Sequence, residues 1–161
     1  MSLLRYLMRT LDHVSFEHVC SGVGIPNIYG YARDVEKISE NPSVLSLFSA
    51  ERDPSMVIIR NALGSPFPSP LCAATMDMFL SIFAAGAANL AVKVLATGGV
   101  YLAGGVVTHM LPALQRPSFM QSFERKGRLA KLVSRIPLHA VLSLPGLTGA
   151  AAYGLEHFKA S

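Results

Sequence analysis

The residue types that chemistry uses gather in a few short stretches. Residues 99–107, Gly-Val-Tyr-Leu-Ala-Gly-Gly-Val-Val, form a pattern of a buried strand that ends in two glycines and passes straight into a helix. Without β-carbons, Gly104 and Gly105 admit a flat base or a phosphate chain to the backbone, and the free N–H groups at the start of the next helix face it. A tight β-to-α turn that binds nothing has the same signature. Gly22-Val23-Gly24 is a lesser version: Asn27 stands where a dinucleotide fingerprint has its third glycine, and the chain contains no Gly-Lys-Ser/Thr phosphate loop. Glu17 precedes that turn, where a carboxylate can accept hydrogen bonds from two neighbouring sugar hydroxyls; plain surface exposure is the commoner fate of a glutamate. His13, His18, His109, His139 and His157 are not at ligand spacing with one another or with Cys20 and Cys72, so no metal site is expected. No Ser/His/Asp arrangement stands out either.

The elements that must position these residues follow from periodicity. Leu3, Leu4, Leu7, Met8 and Leu11 fall at helical spacing, with Arg5 and Arg9 opposite. Residues 14–21 alternate as a short strand before the Gly22–Gly24 turn, and Pro26 opens a helix whose apolar face continues to Ser39. Residues 40–53 lose the pattern and are expected to form a surface excursion. A short helix over 54–63 stops at Gly64, and the proline-rich connector over 66–70 leads into the longest helix, 71–95. There Met76, Phe79, Leu80, Phe83, Leu90 and Val94 make one stripe, while Ala84, Ala85, Gly86, Ala87 and Ala88 keep the middle narrow enough for a close neighbour. Strand 99–103, a helix through Val106 to Leu114, helical pieces at 119–123 and 129–133, strand 136–143 and a last helix from Pro145 complete the chain. Strands alternating with helices predict an α/β protein with a parallel or mixed sheet.

With 161 residues, 51% apolar, 15% charged, thirteen glycines and ten prolines, the chain has the make-up of one packed domain. Its net charge of +4 is scattered except at Arg125, Lys126, Arg128, Lys131 and Arg135. That cluster lacks interleaved aromatics and predicts a solvated face, not nucleic-acid binding. Arg5, Arg9 and Asp12 interrupt any apolar signal region, and two cysteines make no disulfide framework, so the cytoplasm is the expected compartment. The uncharged runs 78–92 and 94–115 raise a membrane reading. Glycines and Pro112 break the second run, and Asp77, Asn89 and Lys93 bound the first, which favours a buried helix.

Several stretches resemble the bacterial glucokinase family. Residues 13–29, His-Val-Ser-Phe-Glu-His-Val-Cys-Ser-Gly-Val-Gly-Ile-Pro-Asn-Ile-Tyr, resemble its HVSxERVxSGxGLxNLY segment. Asn89-Leu-Ala and Gly98-Gly-Val-Tyr-Leu-Ala-Gly-Gly-Val106 resemble its NLAL and GGVxIAGG. Phe119 with Phe123-Glu-Arg-Lys-Gly-Arg128, Ile136-Pro137, and Pro145-Gly-Leu-Thr-Gly-Ala150 resemble FxxxFxxKGRF, the IPV strand and PGLxGAA. The likeness runs in order from about Leu3 to Glu156.

The resemblance implies an ATP-dependent hexose kinase of the actin-like ATPase (ribonuclease H-like) fold, with a mixed sheet and flanking helices, whose substrates are glucose and ATP with magnesium. It carries over Glu17 as a ligand of glucose hydroxyls and Gly104 with Gly105 as the adenosine motif. Family members are about twice as long, and their DxGGTxxR phosphate loop, catalytic aspartate, second glycine-rich turn and GExGH segment have no counterpart here. The expectation is a carboxy-terminal half, inactive alone, with residues 1–145 in the large lobe and residues 146–161 a terminal helix returning toward the amino-terminal lobe. It would act as a homodimer or pair with a separate amino-terminal half, without nucleic acid or membrane. A non-catalytic sugar- or nucleotide-binding module derived from the kinase fold is the competing expectation.

Overall fold

A computed structural model of the chain describes residues 2–64, 66, 68–143 and 145–159. In order these are α1 (Ser2–Leu7), a 3-10 turn (Phe16–His18), α2 (Gly24–Asp34), α3 (Pro42–Ala50), α4 (Pro54–Leu63), α5 (Pro70–Val94), β1 (Val100–Leu102), α6 (Gly105–Leu114), α7 (Pro117–Glu124), a second 3-10 turn (Gly127–Leu129), α8 (Ala130–Val133), β2 (Leu138–Ala140) and α9 (Pro145–Lys159). The architecture is α/β and mostly helical. Among the described residues the sheet is two parallel strands, with Val100, Tyr101 and Leu102 in register with Leu138, His139 and Ala140. The alternation predicts a parallel or mixed sheet, and the two described strands form the parallel kind; the mixed sheet implied by the family resemblance is not seen among them.

Helix α5 is the axis of the core. The Ser69 hydroxyl accepts the Cys72 N–H at 3.3 Å, and Pro70 occupies the first helical position, where its missing N–H costs nothing. Leu95 ends it in the left-handed conformation with φ +49°. Its buried face, Leu71, Met76, Phe79, Leu80, Ala84, Ala88 and Ala91, packs against α2, α4 and α7. Phe79 alone, 1% exposed and stacked on Phe83, contributes roughly 1.5–3 kcal/mol by burial. The helix has the length and hydropathy of a membrane span. Its apolar face is nonetheless covered by neighbouring helices, which is the arrangement of a core helix.

The structure corrects several expectations. Residues 14–21 are not a strand. The Ser15 N–H donates to His18 Nδ1 at 3.0 Å and the Asn27 side-chain amide donates to the His18 carbonyl at 2.9 Å, so local bonds close a 3-10 turn before any strand partner is met. Residues 40–53 stay largely at the surface, as expected, but are not without pattern: the Asn41 carboxamide caps the Ser43 N–H at 3.1 Å, Pro42 starts α3, and Val44 is buried. Helix α2 stops at Asp34, because Lys37 adopts φ +58° and returns the Ile38 N–H to the Ala32 carbonyl. Leu90 and Val94 belong to the predicted stripe of α5 yet lie exposed, and only alternate residues of β1 are buried, Tyr101 facing out. In the 66–70 connector, Phe67 lies outside the described residues.

Glu40 ties the amino-terminal helices together. It accepts from the Tyr29 hydroxyl at 2.9 Å, the Asn41 N–H at 2.6 Å, the Cys72 thiol at 3.3 Å and the Ser69 hydroxyl. The carboxylate thereby lies at the start of α5, where the helix dipole favours negative charge. Burial first, and then the neighbouring Glu40, hold the Cys72 thiol up at about 12 and raise Tyr29 as well.

Candidate functional site

The 3-10 turn that carries Glu17 is held from three sides. The ring of Phe16 lies against α5 at Gly86, where a β-carbon would come within 2.4 Å of it. Gly24 opens α2 so close to the turn that a β-carbon would meet the Val19 carbonyl carbon at 2.7 Å. Asn27 and Ser15 grip His18. Glu17 stands out from this frame, exposed, with its carboxylate bonded to no described residue, while its main-chain carbonyl accepts the Ser21 hydroxyl at 2.8 Å. Asn27, which the sequence marks only as the residue in place of a third glycine, is a positioning group. The narrow middle of α5 receives a phenyl ring, where the sequence suggested a backbone.

Gly104 and Gly105 stand at the junction of β1 and α6. Gly104 has φ +110°, a conformation open to glycine and costly for other residues, and no side chain caps the helix that follows. The Val107 N–H donates to the Gly104 carbonyl at 3.1 Å, and no side-chain oxygen caps the N–H groups of Gly105 and Val106. A β-carbon at Gly104 or Gly105 would meet nothing within 4 Å, so protein packing leaves the space above both residues open.

The two stretches meet. A β-carbon on Gly22 would lie 3.6 Å from Val106 Cγ2, and the Ser55 hydroxyl donates to the Gly22 carbonyl at 3.0 Å, so the turn following Glu17 abuts the first turn of α6. Cys20, Ser21 and Gly22 on one side and Gly104, Gly105 and Val106 on the other line a cleft of about 230 Å³. A larger cleft of about 620 Å³ lies beyond Cys20 and Ala103, bounded by Phe16, Leu90, Lys93 and Tyr101. Burial pushes the Cys20 thiol between them up to about 11, so it is protonated at neutral pH and a poor nucleophile. Among the described residues no three His, Cys, Asp or Glu side chains gather to hold a metal. In the basic cluster Arg125, Arg128, Lys131 and Arg135 are exposed; Lys126 instead reaches α5, donating to the Ala85 carbonyl at 3.0 Å and the Asn89 carboxamide at 2.7 Å.

A family model described as glucokinase matches residues 1–157. Glucokinase of a Nostoc species is 35% identical over 92% of this chain, and glucokinase of Neisseria gonorrhoeae is 35% identical over 96% of it. The chain spans 47% and 44% of the length of those two relatives, less than half of each. The crystal structure of glucokinase from an Antarctic psychrotroph superposes with a TM-score of 0.66 at 25% identity, over 89% of this chain and 41% of that one. A match along nearly the whole chain, joined to the same fold in a solved relative, means that this chain belongs to the glucokinase family of kinases.

Proposed function

We propose that this chain forms the nucleotide side of an ATP-dependent glucose kinase and takes part in converting glucose to glucose 6-phosphate. In this reading it is a carboxy-terminal portion of the large lobe of an actin-like ATPase fold, in the cytoplasm, and α9 returns toward the other lobe. The observation that supports it is the single cleft shared by the turn after Glu17 and the glycine junction before α6. A kinase needs its sugar site and its nucleotide site adjacent, because phosphoryl transfer rests on positioning and charge stabilisation more than on covalent help from the protein.

Glu17 would accept hydrogen bonds from two glucose hydroxyls; its unpartnered carboxylate on a braced turn suits that task. The adenosine of ATP would lie over Gly104 and Gly105, in the space their missing β-carbons leave, with the start of α6 toward the ribose and phosphates. Magnesium would enter with the phosphates. The catalytic base and the loops gripping the phosphates would come from the part of the family length this chain does not span, so the chain alone would bind ATP weakly and transfer nothing.

Calorimetry with ATP tests the nucleotide assignment. Millimolar binding at best is expected, roughly 4 kcal/mol, because most charge-assisted contacts to phosphate are absent. Gly105→Val should abolish it by filling the space over the junction. Equal binding by parent and variant would refute the assignment, and glucose phosphorylation by the parent at ordinary rates of roughly 10 per second would refute the division of labour.

A further inference from the structure

We infer that Ser55 is a positioning residue for the candidate site: its buried hydroxyl latches the turn after Glu17 to the start of α4 and so holds that turn against the first turn of α6. The role rests on the proposed reading of Glu17 as the sugar side and of Gly104 with Gly105 as the nucleotide side.

Among the described residues the buried polar side chains are Ser55, Ser69 and Thr75. Thr75 donates back to the Leu71 carbonyl of its own helix, and Ser69 caps α5. Ser55 serves its helix in neither way, because Asp53 caps α4 by accepting the Ser55 N–H at 2.9 Å. The Ser55 hydroxyl, on a residue 6% exposed, instead crosses at 3.0 Å to the carbonyl of Gly22, 33 positions earlier in the chain. That carbonyl lacks its ordinary helical donor. The residue four positions on from Gly22 is Pro26, which has no N–H to give, and the Ser55 hydroxyl fills the gap.

The latch has two positions. A hydroxyl carries one proton, and two acceptors stand within its reach, the Gly22 carbonyl and Asp53 Oδ1 at 2.5 Å. With the proton on Gly22 the turn is tied to α4. With the proton on Asp53 it is not, so the carboxylate competes with the turn for the latch. A β-carbon at Gly22 would lie 3.6 Å from Val106 Cγ2 and 3.9 Å from the Ser55 hydroxyl, which seats the turn between α4 and α6, and α4 itself packs along α6. A ligand that orders the first turn of α6 therefore orders the Glu17 turn through Gly22 for as long as Ser55 keeps Gly22 in place.

Hydrogen exchange of the full chain, followed by NMR, tests this at the Cys20 and Gly24 amides, which close the turn on the Glu17 and Ser21 carbonyls. Ser55→Ala should quicken both by about tenfold and shift the Gly22 carbonyl resonance, while the amides of α5 keep their rates. Ser55→Thr retains the hydroxyl and should restore the parent rates. Asp53→Asn keeps a capping side chain on α4 but weakens the competing acceptor, so it should slow both amides by about twofold to threefold. Millimolar ATP should slow exchange at Val107 and Cys20 together in the parent, and at Val107 alone in Ser55→Ala. Unchanged turn rates in Ser55→Ala, a loss that Ser55→Thr does not restore, or ATP protection of Val107 that fails to reach Cys20 in the parent would each overturn the proposal. Where Ser55→Ala does not fold, Asp53→Asn decides, and exchange as fast as the parent's would overturn it. ATP that protects neither amide of the parent would count against the nucleotide assignment, and the ligand-free rates would still decide the latch.

Discussion

Helices α5 and α9 are built from similar material and meet opposite fates. Both begin with proline, both are rich in alanine, glycine and leucine, and both carry apolar side chains at helical spacing. One face of α5 disappears beneath α2, α4 and α7. Helix α9 instead leaves Leu147, Leu155 and Phe158 at 71%, 63% and 86% exposure, with Ala151 also in solvent. Apolar composition thus sets what a helix gains on burial, and the presence of partner elements sets whether it is buried at all.

The contrast is broken most forcefully at Phe79. Phe79→Ala leaves a cavity at the centre of the core and should lower the unfolding free energy by about 3–5 kcal/mol in a urea titration, whereas Leu155→Ala on α9 should change it by less than about 0.5 kcal/mol. Comparable losses at the two sites would mean that α9 is packed in solution. Gly24→Ala comes next, because the new methyl would press on backbone at Val19 and no flexible side chain can give way. A loss of about 1–3 kcal/mol is expected, with hydrogen exchange quickening around residues 16–19 and unchanged in α5.

The pH profile sharpens the same comparison, since Cys20 and Cys72 lie in the packed region and not on α9. Burial raises Cys20 to about 11 and Cys72 to about 12 from an ordinary 9.0. The unfolded chain therefore sheds these thiol protons first. Their contribution to stability is complete below about pH 9 and is lost as pH rises through the folded values. The melting temperature should fall between pH 9 and 11, less steeply in Cys72→Ala, and a flat profile would show that the thiols are solvated. The smallest effect on stability is expected from Leu147→Glu with Leu155→Glu. Unfolding should barely shift, but light scattering at high protein concentration should show less self-association than the parent, because an exposed apolar stripe is what drives it.

Much of the helical framework was legible along the chain. The limits of α4 and α5 follow from proline starts, the glycine stop at Gly64 and 3.6-residue periodicity, signals carried by neighbours in sequence, while the same periodicity marks α7 only over residues 119–123 of Pro117–Glu124. The glucokinase resemblance was equally plain, because long runs such as residues 13–29 and 98–106 keep order and spacing. The errors fall where short-range pattern is ambiguous. Residues 14–21 alternate like a strand, but alternation needs a partner strand to act on, and Ser15, His18 and Asn27 closed a turn instead. Residues 40–53 lack an apolar period, yet Asn41 and Pro42 are start signals and Val44 needed only one buried position to hold α3.

Of the candidate site, the chemistry was in the sequence and the geometry was not. Glu17 and the glycine pair can be named from residue type and motif alone, since a carboxylate and a missing β-carbon act through local covalent structure. That Gly22 lies against Val106, and that Phe16 seats on Gly86, joins positions about seventy or more residues apart, which no periodicity encodes. Only packing decides such contacts, because burial free energy is set by which surfaces meet and not by the order in which they are synthesised.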